Sequence, residues 1–112
     1  WLNDGVALPA PVARDCIVGW YGRNATAQGT WRVDGLPCDP SQWPKPTLAL
    51  IPAADRIVPP ASARALAAKL PRCLELTPPV GHIGMMTARN ARATVWDPVL
   101  EFLSDPEGSV SM

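Results

Sequence analysis

Long apolar runs, clusters of like charge and paired cysteines are all missing from this sequence, and each absence closes off a class of function. No stretch approaches the roughly 20 apolar residues of a membrane span, and none at the start has the layout of a signal peptide. Ten Lys and Arg balance ten Asp and Glu, with no run of either sign. A phosphate backbone or an anionic membrane requires such a run, so nucleic acid is not expected as a partner. Cys16, Cys38 and Cys73 are odd in number and lack CxxC spacing. Neither a disulfide framework nor a zinc site is indicated, and a reducing, cytoplasmic setting fits. The triplet Asn24-Ala25-Thr26 matches a glycosylation sequon, but nothing else points to secretion. Histidine is scarce as well: His82 is the only one.

What is present reads as globular interior. Hydrophobic residues make up 47% and charged residues 18%, while 14 prolines call for many rigid turns. A chain of 112 residues holds one domain at most, too small for a large enzyme core. It opens at Trp1 rather than Met, which is expected of numbering that begins inside a longer protein. The polar stretch 105–112 reads as a disordered C-terminal tail.

Three regions are expected. Residues 1–46 comprise a helix over 11–21 and a Pro/Trp-rich connecting segment. In that helix Pro11 suits the first turn, Val12, Cys16, Val18 and Trp20 form an apolar side, and Gly22 closes it. A short hairpin is expected around Asp34-Gly35. Residues 47–104 read as strand, helix, strand, helix. Thr47-Leu48-Ala49-Leu50-Ile51 is an unbroken apolar run, as in a strand buried on both faces of a parallel sheet. Pro59-Pro60 introduces a helix over 61–70 with Leu66 and Leu70 on one face, and Pro71 stops it. A second strand spans 72–77, and a last helix runs from about 90 to 103. This alternation predicts an α/β class with parallel strands and crossover helices.

Asp55 and His82 each follow one of these strands. In open α/β sheets, functional side chains lie in loops beyond the carboxyl ends of strands. Two loops after neighbouring strands would let the carboxylate accept a hydrogen bond from the imidazole. Histidine titrates near neutral pH and can shuttle a proton, while the carboxylate fixes its tautomer and stabilises the imidazolium. That is the acid and base of a catalytic triad. In α/β-hydrolases the order is nucleophile, acid, His, and no GxSxG or GxCxG elbow occurs here. The portion expected is therefore the C-terminal part of that fold, incomplete alone. A structural reading stands beside it: Asp after a strand also caps helices or forms turns, and a single His is often a surface or core residue. Gly81 and Gly84 flank the His and would permit close approach or positive φ.

The words around these residues resemble the poly(3-hydroxyalkanoate) synthase family, a branch of the α/β-hydrolases. The match lies in Asp55-Arg56-Ile57-Val58-Pro59-Pro60, Ser62-Ala63, Leu66 and Gly81-His82-Ile83-Gly84. Upstream, Trp1, Asp4, Leu8-Pro9, Tyr21, Asn24, Gly29, Gly35 and Asp39 fall in the family's pattern, so the similarity spans most of 1–103. Arg56 stands where the family usually has His. The resemblance implies a Cys-His-Asp triad in which Asp55 and His82 serve an upstream cysteine that accepts the acyl group of a hydroxyacyl-CoA. Coenzyme A enters as substrate, with no resident cofactor or metal. The implied partners are the growing polyester chain, the upstream part of the polypeptide and a second subunit in a homodimer, and the implied location is the cytoplasm, at the polyester granule surface. None of the three cysteines sits in an elbow, so none is expected as nucleophile.

Two other readings remain. One is a serine-type esterase or polyester depolymerase with the same C-terminal words. The other is a non-catalytic packing or dimerisation module, to which Met85, Met86 and Trp96 would contribute.

Overall fold

Prolines set where the helices start. In a computed structural model describing residues 4–111, four of the five α-helical segments carry proline in the first turn, where a missing N–H costs nothing. The chain divides into two compact units, with the boundary after Asp39 rather than at the expected residue 46.

In the first unit, helix α1 (Ala10–Arg14) continues as a π-helical stretch, Asp15–Gly22. The wider turn is visible where Arg23 N–H donates to the Val18 carbonyl five residues back, at 2.9 Å. Widening rotates side chains off the 3.6-residue stripe. The apolar side expected from Val12, Cys16, Val18 and Trp20 is accordingly not a buried face, since no residue of either stretch is buried. Strands β1 (Arg32–Val33) and β2 (Leu36–Pro37) pair antiparallel around Asp34-Gly35. Both turn residues have positive φ, 50° and 75°, as a type I′ turn demands. Trp20 meets Trp31 edge to face, with ring centroids 5.0 Å apart, which ties the helix to the base of the hairpin.

The second unit opens with a 3₁₀ turn (Pro40–Gln42) and contains β3 (Thr47–Leu50), α2 (Pro60–Ala67) and β4 (Cys73–Leu76). β3 and β4 pair in parallel, Thr47 opposite Cys73 through Leu50 opposite Leu76, with α2 as the crossover between them. Helix α3 (Gly84–Thr87) follows, then a π-helical turn (Arg92–Trp96) leading into α4 (Asp97–Ser104). Among the described residues, the buried apolar ones are Ile51, Pro52, Ala67, Pro78, Val80, Ala91, Val95 and Phe102. No described helix is long and apolar enough to cross a membrane.

Three expectations change. β3 is only half-buried, because the described sheet has two strands and nothing pairs its other edge. On α2 the buried residue is Ala67, while Leu66 is exposed. The helix also tightens at its end, where Lys69 and Leu70 N–H bond to carbonyls three residues back. Finally, the tail expected to be disordered forms one turn of helix, α5 (Pro106–Ser109). Asp105 caps it by accepting from Gly108 N–H at 3.0 Å, and Arg72 pairs with Glu107. The Arg72 guanidinium holds the Glu107 carboxyl below its usual range.

Candidate active site

Beyond the strands, the two following loops stay side by side through main-chain hydrogen bonds. Ile51 N–H donates to Leu76 O at 2.9 Å, Ala53 N–H to Pro78 O at 3.0 Å and Ala54 N–H to Val80 O at 3.1 Å. The last bond lies one residue before Asp55 and two before His82. Lacing the backbones this far holds the two loops in register next to Asp55 and His82.

His82 Nδ1 lies 2.8 Å from Asp55 Oδ2. The carboxylate is buried, its side chain 3% exposed, whereas the imidazole is 37% exposed. One end of the pair is therefore dry and the other reaches solvent. The second carboxylate oxygen, Oδ1, accepts from the backbone N–H groups of Ile57 at 2.8 Å and Val58 at 2.9 Å. The two oxygens divide these contacts: Oδ1 closes its own loop and Oδ2 holds the ring. Burial pushes the Asp55 pKa up, but the Val58 N–H, the His82 hydrogen bond, the Ile57 N–H and the His82 charge together outweigh it and hold the carboxyl below its ordinary value.

An ionised carboxylate only accepts, so Nδ1 of a neutral His82 carries the proton and Nε2 the lone pair. Nε2 has no hydrogen-bond partner among the described residues. The arrangement is that of a general base whose tautomer is already set, facing outward.

The lowered Asp55 pKa has a consequence for stability. Because the carboxyl binds its proton more weakly in the fold than in the unfolded chain, whose aspartate value is about 3.9, its interactions stabilise the fold above that pH. The contribution is lost as the pH falls through the lowered folded value. Thermal melts between pH 5 and pH 2 are expected to show a shallower acid decline for Asp55→Asn than for the parent chain.

Residues that sequence reasoning placed near the site separate clearly. Arg56 is exposed. Gly81 and Gly84 do not have positive φ; the positive-φ glycines are Gly29 and Gly35. Space, not backbone handedness, accounts for Gly84, where a Cβ would stand 3.1 Å from Val80 Cβ. Sequence reasoning missed the Ile57 and Val58 N–H donors and the buried Val80, because backbone donors leave no side-chain signature.

All three cysteines are free. Burial raises the Cys73 thiol pKa and the Glu75 charge adds to this, against a weaker opposing effect of the Ala49 backbone. Cys73 stays a thiol near neutral pH and is expected to react with iodoacetamide more slowly than a free cysteine at pH 7.5, measured by mass spectrometry. A groove of about 530 Å³ is lined by Leu48, Leu74, Leu76 and Phe102 among others, but by neither Asp55 nor His82. No group of three or more metal-ligating side chains occurs among the described residues. No family model, curated protein or solved structure matches the chain.

Proposed function

We propose that this chain supplies the acid and base of a nucleophile-His-Asp triad in an acyl-transfer enzyme of the α/β-hydrolase fold, of the polyhydroxyalkanoate synthase type. The observation that carries the reading is the 2.8 Å contact between His82 Nδ1 and a buried Asp55 carboxylate, with the opposite ring nitrogen open. The parallel strand, crossover and strand that present the two loops are compatible with the C-terminal part of such a fold.

The nucleophile comes from outside the chain, as a cysteine in a strand-to-helix elbow. His82 Nε2 takes the thiol proton as the sulfur attacks the carbonyl carbon of a hydroxyacyl-CoA thioester. Collapse of the tetrahedral intermediate breaks the carbon–sulfur bond to coenzyme A, and His82 returns the proton to the departing thiolate. In the second half, His82 deprotonates a hydroxyl group of an acyl unit or chain end, which attacks the acyl-enzyme and releases the cysteine as its thiol. Asp55 stays ionised throughout and stabilises the imidazolium. The product polyester would place the enzyme at a granule surface in the cytoplasm.

The test is turnover by the polypeptide that includes the nucleophile, assayed with 3-hydroxybutyryl-CoA and with p-nitrophenyl butyrate. Release of coenzyme A that disappears in His82→Ala supports the synthase. Ester hydrolysis alone points to the esterase, and activity unaffected by His82→Ala overturns the triad.

A further inference from the structure

The loop that carries His82 is folded against one buried residue. Val80 is 9% exposed, and its carbonyl accepts from Ala54 N–H, the residue before the acid. After Val80 the chain turns helically, with Met85 N–H donating to Gly81 O at 3.2 Å and Thr87 N–H to Ile83 O at 3.1 Å. This turn brings Gly84 down onto the Val80 side chain. A Cβ at position 84 would lie 3.1 Å from Val80 Cβ and 3.8 Å from each Val80 methyl. At position 81, by contrast, the nearest atom to a Cβ is the Ala54 carbonyl oxygen at 3.5 Å, an ordinary contact. Position 84 is where the turn has no room to spare.

We propose that the Val80–Gly84 contact is a positioning device for the base: Val80 fastens the acid loop by its carbonyl and seats the His82 turn by its side chain. Val80 and Gly84 touch neither substrate nor reacting atoms and act through His82. An added methyl at 84 pushes the turn away from Val80 by a few tenths of an ångström, and since the carboxylate is held separately by Ile57 and Val58, the displacement lengthens the Nδ1–Oδ2 bond rather than moving the pair together. The inference rests on the triad reading only for its effect on turnover; the geometric claim stands on the contact itself.

The experiment therefore reads geometry and turnover separately. His82 is the only imidazole in the chain, so ¹⁵N-edited NMR of the full chain reports its tautomer and its Nδ1 proton without ambiguity. Gly84→Ala is expected to remove the protected Nδ1 proton and to mix the tautomers, while Gly81→Ala keeps both. Val80→Ala alone, a milder change, is expected to speed exchange of that proton with water. In the polypeptide that includes the nucleophile, Gly84→Ala is expected to lower kcat by up to about tenfold with KM little changed.

A Gly84→Ala chain that keeps the protected Nδ1 proton and a single tautomer would overturn the proposal. If Gly84→Ala does not fold, Val80→Ala decides: faster exchange upholds it and unchanged exchange overturns it. If the NMR effects appear but His82→Ala leaves turnover intact, the positioning stands and the triad reading fails.

Discussion

Replacing His82 with alanine, in a polypeptide that contributes the proposed nucleophile, is expected to lower kcat by several orders of magnitude, and Asp55→Asn to lower it by about 10⁴-fold, as in the serine-protease case. The two losses differ in origin. Without His82 no group takes the proton from the nucleophile. With Asn at 55, Oδ1 can still accept from Ile57 and Val58 N–H, so the loop keeps its shape. The amide nitrogen then faces Nδ1 where a carboxylate oxygen stood, and a donor there favours the tautomer protonated on Nε2, which cannot act as base. Asp55→Ala should lose both functions and destabilise the loop as well. Arg56→His, at an exposed position, serves as the control and is expected to be mild. Steady-state kcat for each variant, with circular dichroism to confirm folding, checks the set. Near-normal turnover in Asp55→Asn together with its loss in Arg56→His would reassign the acid.

Ile51→Ala is expected to destabilise the second unit by about 2–5 kcal/mol. Ile51 is 1% exposed, its N–H is bonded to Leu76 O, and it is the first residue past β3 on the way to Asp55. Truncation leaves a cavity at the root of the laced loops. Domains are stable by only about 5–15 kcal/mol, so the loss takes a large share in a small unit. Leu66→Ala, on a side chain 55% exposed, should change stability by no more than about 0.5 kcal/mol. Urea midpoints of the two variants test the contrast. Equal shifts would mean that Ile51 is not a central packing residue.

How much of this was legible in the sequence depends on which contacts form each feature. The β3–α2–β4 order followed from local signals, an apolar run between prolines and an Ala-rich stretch after Pro59-Pro60, and these are set by neighbours in the chain. The Asp34-Gly35 turn was legible for the same reason, since positive φ at two successive residues limits the residue types. The pairing of Asp55 with His82 was legible only as placement after adjacent strands. Its geometry rests on main-chain bonds from Ala53 and Ala54, which any residue but proline could make. The π-helical stretch was not legible, because its hydrogen-bond shift leaves no mark on a pattern read with a 3.6-residue period. Nor was α5, where Glu107 pairs with Arg72 from 35 residues away in the chain.

The lacing of the two loops also ties chemistry to strand alignment. A slip of β3 against β4 by one residue would carry Asp55 about 3.3 Å along the strand direction, more than the 2.8 Å that separates it from His82. It would also turn every β3 side chain to the opposite face. A misaligned chain would therefore lack its acid–base contact, and proton transfer through His82 would be confined to molecules whose strands have found Thr47 opposite Cys73.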